Sequence, residues 1–316
     1  MTRRLVPLLL VAAALLAVPA SAPAVTNVAV GIGDQSPRMF TDANYKALGL
    51  KKTRYFIHWD AITKPGELQK ADTFVAAARA ARVKVLMHIS TNNLTARRAR
   101  LPSVRQYRSA VGALVRRYKP MGVREWGVWN EANHVTQPTF RSPSRAASFY
   151  KTFRGLCGRC SIVALDVLDQ KGVESYIRRW FKAAGPTGRR ATIIGIHNYS
   201  EVNRRIRKGT DRYPGTARII RAVRRAKNTR AKFWYTETGG IVNFGGAFPC
   251  NRRRPVSRNA FMFSLAKKHR TNIRRLYTYN WTGADCNGFD AGLIEANGAL
   301  RPAYAPFRRS LRDFRK

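Results

Sequence analysis

Eight short β-rich runs alternate with amphipathic helical segments along this chain, and the alternation limits the possible folds more than any other feature. The runs are almost continuously apolar, which is typical of parallel strands covered on both faces. The predicted strands cover residues 25–33, 53–58, 83–89, 125–130, 162–167, 192–198, 232–237 and 276–281. The predicted helices cover residues 41–48, 68–81, 104–118, 144–156, 173–184, 216–226, 256–269 and 304–314.

Eight strand–helix units in one chain predict the α/β class, as a single (β/α)8 TIM barrel. In such a barrel the loops after the strands meet on one face and form the active site. A doubly wound open sheet is the alternative, and it predicts a glycine-rich phosphate loop after the first strand. Gly31, Gly33 and Asp34 form only a fragment of that loop, because the third glycine is missing.

The N-terminus has the pattern of a targeting segment. Arg3 and Arg4 precede an apolar run at 5–18, and Ala20 and Ala22 flank a small-residue cleavage site. We therefore expect a secretory signal peptide at 1–24, a barrel domain at 25–316, and a secreted, extracellular product. Since no later segment approaches the roughly 18 apolar residues of a membrane span, we expect no membrane attachment after cleavage.

The chain is strongly basic, with 59 Lys and Arg residues against 17 Asp and Glu residues and a formal net charge of +42. One interpretation is a partner rich in anions, such as nucleic acid, a wall polymer or a uronic-acid glycan. The other is a solvated basic surface on the helices. The charge is spread along the chain, which favours the second interpretation, and we expect no nucleic-acid partner.

Four cysteines in an exported chain suggest two disulfides. Cys157 and Cys160 form a CxxC motif, but the motif closes a predicted helix, whereas a redox-active pair opens one. A metal site needs a second closely spaced pair, and Cys250 and Cys286 are far apart in sequence. We expect Cys157–Cys160 and Cys250–Cys286 bridges, although spacing does not exclude other pairings, and we expect no metal and no cofactor.

The ends of the predicted strands are unusually rich in polar and aromatic side chains. Only seven glutamates occur in the chain, and two of them, Glu131 and Glu237, follow or end strands four and seven. A pair of carboxylates on one rim of a barrel is the minimum equipment for breaking a glycosidic bond. The other strand-end residues are Arg54, Trp59, His88, Asn130, His197, Tyr199 and Trp281.

In this ordered set the chain resembles the clan-A glycoside hydrolases, the large retaining group that includes families 5 and 39. The resemblance spans nearly the whole chain after the signal peptide. It rests on an Arg followed five residues later by a Trp on strand two, Asn-Glu after strand four, His-x-Tyr at strand six, Glu on strand seven and Trp on strand eight. The matching residues are Arg54, Trp59, Asn130, Glu131, His197, Tyr199, Glu237 and Trp281.

The resemblance implies that residues 25–316 form a glycoside hydrolase catalytic domain. Glu131 would be the general acid/base and Glu237 the nucleophile of a retaining double displacement. Supporting roles follow from the same resemblance. Arg54 and Tyr199 would hold Glu237, Asn130 would bind the sugar 2-hydroxyl, His197 would set the proton state of Glu131, His88 would line the subsite, and Trp281 would form an apolar floor.

The expected substrate is a β-linked polysaccharide or oligosaccharide, which the basic surface allows to be anionic. An open cleft is favoured over a closed pocket, and a monomer is expected. The alternative function is a catalytically silent barrel on the cell surface that binds carbohydrate or an anionic polymer. Hydrolysis and transglycosylation give the same sequence pattern, and the sugar does not follow from the fold.

Overall fold

Within residues 26–95, 98–204 and 214–316, which the computed structural model describes, eight parallel strands close into a barrel in sequence order. Closure occurs where β1 pairs in parallel with β8, from Ala29 beside Arg275 to Gly33 beside Tyr279. The strands are β1 Ala29–Gly33, β2 Lys52–His58, β3 Lys84–Ser90, β4 Glu125–Gly127, β5 Ser161–Leu168, β6 Ile193–His197, β7 Lys232–Thr238 and β8 Ile273–Tyr279. The predicted single (β/α)8 barrel is confirmed.

Helices cover the outside of the barrel. Proline near the first position of α2, α4 and α8 suits the start of a helix, where its missing N–H loses no bond. Ser103 and Gln106 close a capping box at the start of α3. The helices are α1 Ala43–Ala47, α2 Pro65–Ala80, α3 Val104–Tyr118, α4 Pro143–Leu156, α5 Val173–Arg189, α6 Tyr199–Asn203, α7 Gly215–Arg225, α8 Arg254–Lys268 and α9 Tyr304–Arg315.

The apolar core has two parts. The larger part lies between strands and helices, where Phe149 stacks on Tyr107 with ring centroids 4.2 Å apart and on Trp129 at 5.2 Å. A smaller buried cluster comes from the inward faces of five strands and fills the middle of the barrel. Its members are Leu86, Val163, Ile193, Trp234 and Tyr277.

Toward the carboxyl ends of the strands the barrel interior becomes polar. His88 and Asp166 are completely buried there. Two glycines make the space: a Cβ on Gly127 would lie 2.1 Å from the His88 ring, and a Cβ on Gly195 would lie 2.9 Å from Cγ of Asp166. Without those two glycines this buried layer could not occupy the barrel.

Several element boundaries differ from the sequence predictions. β4 ends at Gly127, three residues early, because the chain turns there and Glu131 takes a left-handed backbone with φ of 42°. β8 runs from Ile273 to Tyr279 and so ends two residues early. The short helix α6 was not predicted. The predicted signal peptide at 1–24 and the first residue of strand one lie outside the described residues.

Both expected disulfides, Cys157–Cys160 and Cys250–Cys286, are present. The second joins the loops after β7 and β8, where Asn243–Phe244 and Phe289–Asp290 also pair as a two-stranded antiparallel ribbon. In the described part of the chain, no helix is both long enough and apolar enough to cross a membrane.

Candidate active site

Glu237, near the end of β7, is held by two hydrogen bonds. Nη1 of Arg54 donates to its Oε2 at 2.7 Å, and the Tyr199 hydroxyl donates to its Oε1 at 2.9 Å. Arg54 comes from β2 and is 1% exposed, so its charge acts on Glu237 with little screening by water. Both oxygens of this carboxylate are thus engaged by donors, one of them a charged guanidinium.

Tyr199 is positioned by a buried carboxylate at the start of α6. Asp169, just after β5, accepts the backbone N–H groups of Ser200 at 2.9 Å and Glu201 at 2.7 Å. Burial raises the pKa of Asp169 to about 8, against the lowering effect of those two donors. These contacts fix the first turn of α6 and with it the Tyr199 ring beside Glu237.

Glu131 follows β4 and faces two histidines. Nδ1 of His197 lies 2.9 Å from its Oε1, and Nδ1 of His134 lies 3.8 Å from its Oε2. Burial of Glu131 acts to raise its pKa, but the hydrogen bond and charge of His197 outweigh burial and hold the pKa below its ordinary value. Glu131 has a left-handed backbone conformation, with φ of 42°, which is uncommon outside glycine.

The two glutamates share a neighbour and open to the same space. The Nδ1 atom of His197 that lies 2.9 Å from Glu131 is also 3.7 Å from Oε2 of Glu237. The side chains of Glu131 and Glu237 are 17% and 11% exposed, whereas His197 is sealed beneath them. Two carboxylates with different partners thus reach solvent side by side at the mouth of the barrel.

Arg54 connects the two halves of this arrangement. Besides Glu237, it donates from Nη2 to Oδ1 of Asn130 at 2.5 Å and from Nε to Nδ1 of His88 at 3.2 Å. The bond to Asn130 orients its amide, so that the NH2 group is the one available to a ligand. The bond to His88 makes that ring nitrogen an acceptor, and burial lowers the pKa of His88 to about 3.

Three solved structures share this architecture over most of both chains. A psychrophilic glycoside hydrolase family 10 endo-β-1,4-xylanase superposes with a TM-score of 0.61 at 16% identity, over 89% of this chain and 97% of its own. Xylanase 10B from Thermotoga maritima gives 0.60 at 12% identity, over 91% and 95%. The GH39 enzyme from Xanthomonas axonopodis pv. citri gives 0.64 at 14% identity, over 91% and 67%.

The fold of this chain is the (β/α)8 barrel that these glycoside hydrolases also have. No protein-family model matches the sequence, and no curated protein sequence matches it. The likeness therefore concerns the fold alone, and the chemistry depends on the side chains of this chain.

The barrel brings six of the eight predicted catalytic and supporting residues together at the carboxyl ends of its strands. They are Arg54, Asn130, Glu131, His197, Tyr199 and Glu237. His88 belongs to the same network but lies below it with no exposed surface, so it supports Arg54 and does not line a subsite.

Trp281 does not form the predicted floor. Its side chain is 1% exposed and packs edge-on against Tyr45 at 5.6 Å and Tyr304 at 6.0 Å, between the barrel and helices α1 and α9. Alternation along a strand would turn residue 281 inward, as it does residue 277, but β8 ends at Tyr279 and the alternation ends with it.

Tyr279 is the aromatic residue that β8 presents to the glutamates. Its ring lies 6.0 Å from that of Phe289, which lies 5.2 Å from the ring of Tyr199. Burial raises the pKa of Tyr279, and the charge of Glu237 raises it further. The sequence signal was its position at the end of strand eight, two residues before the tryptophan that matched the clan pattern.

Asp166 is the residue of this network that the sequence did not single out. Its oxygens lie 3.0 Å from Nε2 of His88 and 3.2 Å from Nε2 of His197. The residue is a single acid inside the apolar run of β5, and that isolation within a buried strand is the signal that could have found it.

An aromatic row extends the site on one side. From Tyr199 it passes to Phe289 and then, at 5.6 Å, to Phe244 at the tip of the disulfide-tied ribbon. Phe244 is 47% exposed. In the described segments, no cluster of three or more His, Cys, Asp or Glu side chains is arranged to hold a metal ion.

Proposed function

We propose that this protein is a retaining glycoside hydrolase that cleaves β-linked polysaccharide by double displacement. The observation that carries the proposal is the division of partners between the two carboxylates. Glu237 is held by Arg54 and Tyr199, and Glu131 by His197. A nucleophile must be ionised and an acid must exchange a proton, so a productive pair needs two different environments.

In the first step, Glu237 attacks the anomeric carbon while Glu131 gives its proton to the leaving glycosidic oxygen. Their contacts to one nitrogen of His197, at 2.9 and 3.7 Å, limit the separation of their nearest oxygens to the sum of those distances. That limit is compatible with the roughly 5–5.5 Å of retaining enzymes. Asn130, oriented by Arg54, is placed to bind the 2-hydroxyl of the reacting sugar.

In the second step, the carboxylate of Glu131 takes a proton from water, and the water oxygen displaces Glu237 from the anomeric carbon. Arg54 and Tyr199 then receive the released carboxylate. Because the pKa of Glu131 in the free protein lies below its ordinary value, the protonated acid is populated only in acidic solution. The rate should therefore fall as pH rises through that pKa.

The aromatic row supports a polymeric substrate. Sugar rings present apolar faces, and Phe244 and Phe289 offer rings that lead away from the glutamates along one wall. The xylanases with the same fold make β-1,4-xylan the first polymer to test, ahead of β-glucans, mannans and uronic-acid polymers. The two disulfides and the predicted signal peptide support action outside the cell.

The test compares Glu237→Ala and Glu131→Ala on two aryl glycosides of the sugar released from the polymer. Glu237→Ala should abolish turnover of both substrates, since no covalent intermediate can form. Glu131→Ala should lose about 10²–10⁴-fold with a leaving group that needs protonation, and much less with 2,4-dinitrophenolate, which needs none. Steady-state rates with both substrates measure the difference.

Glu67→Ala is the matched control, because it removes a partly exposed carboxylate whose ion pairs are with His58 and Lys70 and not with the residues around Glu131 and Glu237. It should keep full activity. Full activity of both Glu131→Ala and Glu237→Ala on a glycan that the wild type cleaves would refute the assignment. Wild-type binding of polysaccharide without cleavage would favour a carbohydrate-binding barrel instead.

A further inference from the structure

A buried carboxylate lies beneath the glutamate pair, and imidazoles are its neighbours. Asp166 is 0% exposed, with Oδ2 lying 3.0 Å from His88 and Oδ1 lying 3.2 Å from His197. Among the described residues, no backbone N–H or hydroxyl donates to either oxygen. An ionised carboxylate in such a place is stable only if its neighbours carry compensating charge.

His88 does not supply that charge. Its Nδ1 accepts a hydrogen bond from Nε of Arg54 at 3.2 Å, so Nδ1 carries no proton. Its Nε2 then carries the proton of a neutral ring and lies 3.0 Å from Oδ2 of Asp166. Burial, which lowers the pKa of His88 to about 3, acts in the same direction.

His197 is in the opposite situation. Its Nδ1 faces the Glu131 carboxylate at 2.9 Å, and its Nε2 faces Asp166 at 3.2 Å. Both ring nitrogens can donate only in the imidazolium form. The remaining charged neighbour is Glu237 from β7, 3.7 Å from Nδ1, and beyond it lies Arg54 from β2, which is already bonded to Glu237.

We propose that Asp166 is a positioning residue that keeps His197 cationic, with Nδ1–H directed at Glu131, throughout the reaction. The inference rests on the proposed function and extends it from the two glutamates to a buried Asp166–His197–Glu131 line. When Glu131 gives its proton to the glycosidic oxygen, it becomes a carboxylate facing a fixed cation. When it later takes a proton from water, His197 retains both N–H groups.

The line explains why Glu131 is a stronger acid than its burial alone would make it. Burial acts against ionisation of Glu131, whereas the hydrogen bond and charge of His197 favour it, and the net pKa is lowered. Burial likewise acts to lower the pKa of His197, but the charges of Asp166 and Glu237 dominate and raise it to about 10. Asp166 thus acts on the acid/base through His197, without touching substrate.

The first experiment needs no substrate. The chain has five histidines, so ¹⁵N-histidine labelling gives a small set of ring signals, and His197→Gln assigns the one that matters. At about pH 8, well above the ordinary histidine pKa of ~6.5, both nitrogens of His197 should still show protonated shifts while His88 stays neutral. A His197 signal that titrates at the ordinary value would overturn the proposal.

Asp166→Asn tests the cause. An amide has one acceptor oxygen, and His88 requires it, because Nδ1 of His88 is already an acceptor. The NH2 group then faces Nε2 of His197, which must lose its proton to accept. The His197 midpoint should fall by about 1–3 pH units or more, as expected when a close opposite charge is removed. An unchanged midpoint in a folded variant would refute the proposed role.

Asp72→Asn is the control, since it removes the same charge from a carboxylate that pairs with Arg117 and Tyr118 between α2 and α3, outside the barrel. This control variant should leave the His197 midpoint unchanged. The ring signals of His58 and His269 should keep their own midpoints in both variants. If Asp166→Asn does not fold, the wild-type titration remains decisive.

Kinetics add a readout that a purely structural role would not move. With His197 neutral, the pKa of Glu131 rises, so the alkaline limb of kcat/KM in Asp166→Asn should shift to higher pH. A lower rate with the alkaline limb at its wild-type pH would show that Asp166 contributes only packing. The NMR result stands apart from catalysis, so failure of the proposed function and failure of this inference are distinguishable.

Discussion

At the scale of single residues, the polar interior of this barrel depends on two glycines, which have no side chain to fill it. Gly127 and Gly195 face inward on β4 and β6, where a Cβ would meet the His88 ring and the Asp166 carboxyl group. Barrel interiors are otherwise filled by bulky apolar side chains, as the cluster around Trp234 and Tyr277 shows. The two glycines thus permit a charged layer directly beneath Glu131 and Glu237.

Gly127→Ala should therefore lower both stability and activity, although it adds only one methyl group. The new methyl group would lie 2.1–2.4 Å from three atoms of the His88 ring, which is enclosed and cannot retreat. We expect a loss of stability of about 1–3 kcal/mol or more, as for an overpacked core. Activity should fall as well, because His88 supports Arg54. Chemical denaturation and steady-state kinetics measure the two effects.

The control for that substitution is Gly155→Ala in α4. Nothing lies within 4 Å of a Cβ placed there, and the site is exposed on a helix. Alanine should stabilise the protein by up to about 1 kcal/mol and leave activity unchanged. Equal stability of the Gly127→Ala and Gly155→Ala variants would contradict the packing argument.

At the scale of elements, the loops after β7 and β8 form a wall beside Glu237. Asn243–Phe244 pairs with Phe289–Asp290, and the Cys250–Cys286 bridge joins the same loops across a separation of 36 residues. Behind the ribbon, Arg301 bonds to Asp290 at 2.6 and 2.8 Å with both side chains buried. These links hold the aromatic row at a fixed place relative to the glutamates.

Phe244→Ala tests whether that wall contacts substrate. Burying a phenylalanine face against a sugar is worth up to about 1.5–3 kcal/mol, so kcat/KM on polymer should fall roughly tenfold or more. Turnover of an aryl monoglycoside, too short to reach the wall, should be unchanged. Leu300→Ala, at a site of similar exposure (48%) in the loop after β8, should affect neither substrate. An equal loss on long and short substrates would refute a subsite at Phe244.

At the scale of the whole molecule, charge is the outstanding property. With 59 basic and 17 acidic residues, basic side chains outnumber acidic ones by more than three to one. A net charge of +42 opposes the compact state through self-repulsion. Salt screens such repulsion, with a Debye length of about 10 Å at 0.1 M that shortens as concentration rises.

Raising NaCl from about 0.02 M to about 0.5 M should therefore raise the thermal unfolding midpoint. The internal ion pairs around Arg54 and Arg301 are buried, so salt should weaken them little. KCl should give the same curve, because the effect depends on ionic strength. A midpoint that is flat or falls with salt would show that self-repulsion does not limit the stability of this fold.

The sequence by itself determined the barrel, because eight apolar runs with helical segments between them have few alternatives. It also indicated the two glutamates, since polar residues after buried strands are rare enough to stand out. The sequence favoured the Cys157–Cys160 and Cys250–Cys286 bridges without excluding other pairings, and the structure contains both bridges.

Tertiary structure alone decided three points. The end of β8 at Tyr279 placed Trp281 in the outer core and left Tyr279 beside Glu237, because alternation of side chains lasts only as long as the strand. The register of β5 against β6 brought Asp166 under His197, a contact between paired strands that no local pattern encodes. The partners of Glu131 and Glu237 were decided in the same way, because the charge on a carboxylate depends on neighbours that only the closed barrel assembles.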